Sequence, residues 1–165
     1  MRFSIVGVGV LVALSAACSH STTRMGRNVV GGHPVGGDLA LSAEKTGTGD
    51  TARYELFVHW TSNFRLDIKE GQSLTVMADR EEMTFSAAKK DIRQDSDCEQ
   101  GPCVYDERAY YPVSADQLRR IAAAQDVTVE VTGHKRSVTR DFDYINFDNF
   151  REFVARNVPP ASTER

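Results

Sequence analysis

Residues 53–61, RYELFVHWT, alternate between apolar and more polar side chains. A period of two places successive side chains on opposite faces of a β-strand, so this stretch predicts a strand with one buried face. The buried face would carry Tyr54, Leu56, Val58 and Trp60. The less apolar face would carry Arg53, Glu55, Phe57, His59 and Thr61.

The same period continues on both sides of this strand. Upstream, Leu39, Leu41 and Ala43 alternate with polar or small residues, and a Gly-rich turn at 46–50 follows them. Two alternating runs joined by such a turn predict a β-hairpin. Downstream, alternating or extended runs occupy 64–68, 74–78, 83–87, 103–112 and 127–131. A polar run at 137–142 returns after the turn Gly133-His134 and is typical of a sheet edge.

Two amphipathic helices are predicted late in the chain. Ser114 is an N-cap with Gln117 three residues on, which is a capping box that satisfies backbone donors at the helix start. The second helix is expected to start at an Asn146 cap, with Ile145 and Phe150 in the hydrophobic-staple positions. The buried stripes would be Leu118, Ile121 and Ala122 in the first helix, and Phe147, Phe150, Phe153 and Val154 in the second.

Most strands precede the helices instead of alternating with them, which indicates an α+β fold and not a doubly wound one. We expect a mainly antiparallel sheet of six to eight short strands, with the two helices packed on one face. A single domain is predicted over 38–160, followed by a disordered tail at 161–165. The Ser/Thr/Gly-rich stretch before residue 38 has no sustained period and predicts a flexible tether, although Val29 and Val30 could dock on the domain.

The chain carries a formal net charge of −3, with acidic and basic residues spread along its length. Nothing in the pattern predicts a basic face. Nucleic acids and anionic lipid headgroups are therefore poor partners for this chain.

The first eighteen residues, MRFSIVGVGVLVALSAAC, begin with Arg2 and a short apolar run that is too short to span a bilayer. Small residues then lead directly into Cys18. This segment resembles the lipobox signal of bacterial lipoproteins, although Ser15 stands where that family favours leucine. The resemblance implies a signal peptide at 1–17, a lipid-anchored Cys18 and a tether at 18–37. Ser19 after the cysteine implies the outer membrane, facing the periplasm. The alternative is cleavage near Ala17 that releases an unanchored secreted protein.

Acylation of Cys18 would leave two cysteines, Cys98 and Cys103, in an oxidising compartment. An even pair in such a compartment predicts a disulfide, and the Gly101-Pro102 turn can bring the two thiols together. Redox or metal chemistry is the alternative. Four residues separate these cysteines, whereas a thioredoxin-type motif has two, and a metal site would want further ligands nearby.

No nucleophile–base motif of the G-x-S-x-G or S-x-x-K type is present. His59 is read as a half-exposed strand histidine with cross-strand neighbours, and a catalytic role would require a carboxylate and a hydroxyl beside it. Acidic residues around Asp141 and Asp148 superficially resemble a calcium loop but lack its glycine and closing glutamate. We therefore predict no catalysis, no metal site and no cofactor.

The segment 103–112 is the preferred binding surface, because its tyrosines fall on both faces of a strand. The candidate surface residues are Tyr105, Tyr110, Tyr111 and His59. We expect a membrane-anchored, non-catalytic module that binds an envelope protein or peptide. The alternative is a periplasm-facing carrier or sensor for a small ligand or metal, and a hydrolase is the least favoured reading.

Overall fold

The computed structural model describes residues 21–30, 37–99 and 101–161. The predicted signal peptide, Cys18 and the last four residues of the predicted tail lie outside these ranges. The described elements are β1 (Thr22–Arg24), β2 (Asp38–Thr46), β3 (Arg53–Ser62), β4 (Gly71–Ala78), β5 (Glu81–Ala87), β6 (Ile92–Asp97), β7 (Val104–Val113), α1 (Ala115–Ala123), β8 (Val127–Thr132), β9 (Ser137–Asp141) and α2 (Tyr144–Asn157).

The strands form two antiparallel sheets, which with the two helices gives a roughly α+β fold. Sheet A has the order β1-β2-β3-β7-β6, and sheet B has the order β5-β4-β8-β9. The described ranges thus hold nine strands in place of the predicted six to eight. The difference arises because β1 and β6 lie in polar segments that carry no apolar alternation.

One hydrophobic core joins the two sheets and the helices. The predicted inner face of β3 is confirmed, since Leu56, Val58 and Trp60 are fully buried. β5 of sheet B contacts β7 of sheet A, α2 contacts β2, and α1 contacts β4. A single sheet with both helices on one face is therefore not confirmed, because the helices contact strands of different sheets.

The run 64–68, predicted as a strand, is mainly a loop in which Ile68 makes an isolated bridge to Gly133. The cause is Glu107 on β7, a fully buried carboxylate. Its Oε1 accepts hydrogen bonds from the amides of Leu66 (2.7 Å) and Asp67 (3.0 Å), and its Oε2 accepts one from Ile68 (2.9 Å). Backbone donors that a strand would give to a neighbouring strand are thus used by one side chain.

The capping box that starts α1 is confirmed, because Ser114 and Gln117 exchange side-chain and backbone hydrogen bonds. The start of α2 is corrected by one turn. Asp143 is the N-cap, and Asn146 occupies the third helical position of a second capping box. Ile145 is 49% exposed and does not act as a staple.

The tether prediction is wrong over its described part, 21–30. β1 pairs with β2, Met25 and Val30 are buried, and the amide of Leu41 donates to the carbonyl of Asn28 at 2.9 Å. The folded unit therefore begins well before residue 38. The sequence pattern did not predict this docking. The segment is mostly polar and binds the domain through its backbone and a few isolated side chains, so it shows no apolar period.

Candidate functional site

The predicted site residues on β7 are divided between two faces of sheet A. Cross-strand pairing places Tyr105, Glu107 and Tyr111 on the inner face with the core residues of β3. Asp106, Arg108 and Tyr110 lie on the opposite face, which we call the outer face, together with Phe57, His59 and Thr61 of β3. Because successive side chains of a β-strand point to opposite faces, the assignment of one residue of β7 to a face determines the face of every other residue in the strand.

Tyr111 is a core residue and not part of a binding surface, since it is fully buried. Its hydroxyl lies 3.1 Å from the hydroxyl of Ser73. Burial raises the pKa of Tyr111 to about 12, although the hydrogen bond with Ser73 acts in the opposite direction. Tyr105 is half-buried near the end of the inner face, where the Arg65 guanidinium lies 5.2 Å from its ring centroid.

The outer face is arranged in rows that run across the strands. The first, the aromatic row, consists of Tyr110 and Phe57, directly paired residues whose ring centroids are 4.8 Å apart. Arg24 of β1 covers this row. Its guanidinium lies 4.9 Å from the Phe57 centroid and donates to the Tyr110 hydroxyl at 3.2 Å, while Glu44 forms an ion pair with it.

The second row, the cationic row, lies two residues further along the strands, which is about 7 Å. Arg93 of β6 pairs directly with Arg108 of β7, and Arg108 pairs directly with His59 of β3. The Arg108 side chain is 44% exposed, and its Nε lies 2.7 Å from Oδ1 of Asp106. Two guanidinium side chains thus stand opposite each other across neighbouring strands.

The third row, the acidic row, is formed by Asp95 and Asp106, with Thr61 on the next strand. Nε2 of His59 lies 2.7 Å from Oδ2 of Asp106 and 3.2 Å from Oγ1 of Thr61. Partial burial by itself raises the pKa of the Asp106 carboxyl. The hydrogen bond from His59 and the guanidinium of Arg108 outweigh this, so the pKa lies below its ordinary value.

His59 therefore meets both a carboxylate and a hydroxyl, which is the combination that a hydrolase would require. The geometry differs from that of a catalytic triad, however. In a triad the carboxylate faces one ring nitrogen, and the other, unprotonated nitrogen accepts the hydroxyl proton. Here both contacts are made by Nε2, and a nitrogen that donates to Asp106 cannot also take a proton from Thr61. The cluster orients His59 and does not activate Thr61.

A cleft of about 330 Å³ lies on another part of the surface. Ile68 and Ile92 supply its apolar lining, and Asp67, Lys89 and His134 are among its polar residues. The backbone of the turn that carries His134 is fixed to the loop beneath it, because the His134 amide donates to the Asp67 carbonyl at 2.7 Å. The lining thus combines both signs of charge with apolar side chains.

Cys98 and Cys103 form a disulfide at the tip of the β6–β7 hairpin, as the sequence predicts. Among the described residues no three histidine, cysteine, aspartate or glutamate side chains are grouped to hold a metal ion. Across 21–30, 37–99 and 101–161, no helix is long and apolar enough to cross a membrane.

Sequence reasoning placed Phe57 on the less apolar face of β3 but did not select it as a surface residue for binding, and it missed Asp106 and the two arginines of the cationic row. The alternation along each strand was visible, and it places Arg108 beside Tyr110. The pairing of strands was not visible, because β6 has no apolar pattern and its register with β7 depends on the hairpin. Only that register brings Arg93 next to Arg108.

No protein-family model, curated protein or solved structure matches this chain.

Proposed function

We propose that the chain is a lipid-anchored envelope protein whose domain is a non-catalytic binding module for a protein or peptide. The signal at 1–17 would be removed and Cys18 acylated, which holds the domain at the outer membrane on the periplasmic side. The Cys98–Cys103 disulfide supports an oxidising compartment, since such bonds persist outside the reducing cytosol. Two or three acyl chains provide permanent attachment, since each buried methylene contributes about 0.8 kcal/mol.

The outer face of sheet A is the binding surface that the geometry favours. The observation that carries this proposal is the aromatic row beside the cationic row on one half-exposed face. Aromatic and arginine side chains are enriched among the residues that dominate the energetics of protein interfaces, because rings offer large contact areas and a guanidinium can donate several hydrogen bonds.

The cationic row indicates the chemistry of the partner. Arg93 and Arg108 are directly opposite each other, and like charges in that position destabilise a sheet, although the ion pair between Arg108 and Asp106 offsets part of the repulsion. A carboxylate from a partner would relieve this repulsion and could accept hydrogen bonds from a guanidinium in a bidentate manner. The adjacent acidic row would repel a polyanion such as nucleic acid. We infer a peptide segment that places an apolar side chain on Phe57 and Tyr110 and an acidic side chain on the arginines.

Position-specific photo-crosslinking in the organism that makes the protein tests this proposal. A photoreactive amino acid replaces Asp95, an exposed residue of the acidic row beside the arginines, or, as a matched control, the exposed Thr139 on the edge strand β9. We expect a discrete adduct of one envelope protein from position 95 and none from position 139. The adduct should disappear in the Tyr110→Ala variant. Identical adducts from both positions, or none from position 95 in a correctly localised protein, would contradict the proposal.

A carrier or sensor of a small ligand is a second candidate, supported by the cleft beside His134. Its volume of about 330 Å³ falls at the lower end of the range for small-molecule sites. Native mass spectrometry of protein purified from its own host is the direct test. A bound small mass that is lost in the Lys89→Glu variant would support this function. A protein that carries no additional mass would contradict it.

A further inference from the structure

The folded domain begins very close to the predicted lipid anchor. The amide of Gly47 donates to the carbonyl of Ser21 at 3.1 Å, and Thr22 pairs with Thr46 at the end of β2. Ser21 is only three residues after Cys18. The sequence pattern indicated a tether that continued to residue 37.

Buried amide groups hold the segment 21–30 on the domain. Asn28 is 1% exposed, and its side-chain amide donates to the carbonyl of Leu41 at 3.0 Å. Its side-chain oxygen accepts hydrogen bonds from Asn146 at 2.8 Å and Asn149 at 3.0 Å, both on α2. Asn146 also donates to the carbonyl of Val29 at 2.7 Å. This network connects the segment 21–30 to α2, the last helix.

The reach of the anchor follows from covalent geometry. The three Cα-to-Cα steps from Cys18 to Ser21 span at most about 11 Å when fully extended, whereas the twenty steps from Cys18 to Asp38 would span about 70 Å. The docked segment therefore removes most of the freedom that a tether would give. A domain held this closely has one end next to the membrane surface.

We propose that the end of sheet A formed by Ser21, Thr22 and the β2–β3 turn at 46–52 lies against the lipid headgroups. This inference rests on the acylation of Cys18 proposed above. β3 has ten residues and leads away from this end, so its far end lies about 30 Å from the membrane. Asn63 and the Cys98–Cys103 hairpin are at that distal end. The strands of sheet A would then run roughly perpendicular to the membrane. The outer face would be accessible to a partner that approaches parallel to the membrane surface.

The composition of the turn agrees with contact at the headgroups and not with insertion. Thr48, Gly49, Asp50 and Thr51 are all exposed, and none is apolar enough to enter the acyl region. The short connection, not an affinity of the turn for lipid, brings this end to the surface. No anionic headgroup is required, in agreement with the charge distribution of the chain.

Fluorescence quenching tests the orientation on the full acylated chain. Thr48→Cys and Asn63→Cys variants are labelled separately with a fluorophore, since Cys18 is blocked by acylation and the disulfide protects the other two cysteines. Each is reconstituted in phosphatidylethanolamine vesicles that contain a lipid with a nitroxide on its headgroup. We expect strong quenching of the label at position 48 and little or none at position 63.

A spacer variant provides the matched control. A Gly/Ser insertion of roughly 20 residues after Ser19 adds a flexible chain with an r.m.s. length of about 25 Å and should abolish the quenching at position 48. An acylated chain with equal quenching at both positions would overturn the orientation and leave the anchor intact. An intact mass without acyl groups at Cys18 would overturn both.

Discussion

The two faces of sheet A are built from the same central strands, yet they differ in almost every physical respect. The inner face is closed by sheet B and the helices, and its Leu56, Trp60 and Tyr111 are fully buried. The outer face presents half-exposed rings and charges in rows. Burial on the inner face stabilises the fold, because removal of apolar surface from water is its main driving force. The outer face contributes less to stability, so the fold places fewer constraints on its side chains.

The largest expected loss of stability follows from removal of Glu107, a buried carboxylate of the inner face, in contrast to removal of an acidic residue on the outer face. Glu107→Ala leaves the amides of Leu66, Asp67 and Ile68 without their acceptor in the core. Each buried unpaired donor costs about 1–3 kcal/mol, so we expect a loss of about 4 kcal/mol or more in the free energy of unfolding. Urea denaturation measures it. Asp95→Ala on the outer face is the control, and an equal loss there would contradict this role of Glu107.

The next prediction compares neighbours on one strand. Leu56→Ala on the inner face should cost about 3 kcal/mol, because it removes buried atoms and leaves a cavity. Phe57→Ala on the outer face should cost about 1 kcal/mol, since it loses ring contacts with Tyr110 and His59 and the contact with Arg24 on a half-exposed face. Thermal unfolding of both variants tests the contrast. Equal losses would show that the outer face is also part of the stabilising core.

A smaller effect is expected at the segment 21–30, which extends sheet A at its edge. Asn28→Ala removes the shared acceptor of Asn146 and Asn149 and should cost about 2 kcal/mol. Hydrogen exchange should also become faster at the amides of Met25 and Val30, which donate to β2. Asn63→Ala, an exposed asparagine at the distal end, is the control. Unchanged exchange in Asn28→Ala would show that the backbone pairing alone holds the segment.

The smallest expected effect on stability concerns the ionisation of Glu55, an acidic residue of the outer face. Burial, together with the charges of Asp91 and Glu44, raises the pKa of Glu55 above its ordinary value of 4.5, although Lys90 and Arg53 act against this. The folded chain therefore binds the proton of the Glu55 carboxyl more tightly than the unfolded chain does. The free energy of unfolding falls as the pH rises from the ordinary pKa of glutamate through the raised pKa of the folded state. Glu55→Gln removes that loss.

The melting temperature of Glu55→Gln should accordingly exceed that of the wild type at about pH 7. The advantage should shrink as the pH falls and should vanish below the ordinary pKa of glutamate, because the wild-type carboxyl is then protonated in both states. A series of melting curves across this pH range measures the difference. An advantage that does not change with pH would indicate a packing effect and not the ionisation of Glu55.

Much of the fold could be predicted from short-range patterns. The alternation at 53–61 gave the correct inner face, and the Ser114 capping box gave the start of α1, because both depend on residues within one turn or strand. The spacing of Cys98 and Cys103 across a Gly-Pro turn gave the disulfide. The start of α2 was displaced because Asp143 and Asn146 are both good caps, and local chemistry alone does not choose between them.

The candidate site was less accessible to prediction. Tyr111 and Tyr110 are adjacent in sequence, and only the packing of sheet B against sheet A decides which of the two is buried. Arg93 and Arg108 are fifteen residues apart and become neighbours through the register of the β6–β7 hairpin. The sequence around Glu107 gives no sign that its carboxylate is buried. Its role depends on the loop at 66–68, whose amides are brought to it only in the folded protein.

The amino-acid sequence by itself determined which segments could become strands and helices, where the disulfide would form, and the resemblance of residues 1–18 to a lipoprotein signal. These features depend on contacts between near neighbours in the chain. Only the tertiary structure decided that the strands divide into two sheets, that residues 21–30 join the first of them, and that rings and arginines share one face. These features depend on pairings between distant strands, whose free energy comes from burial and register that no local pattern encodes.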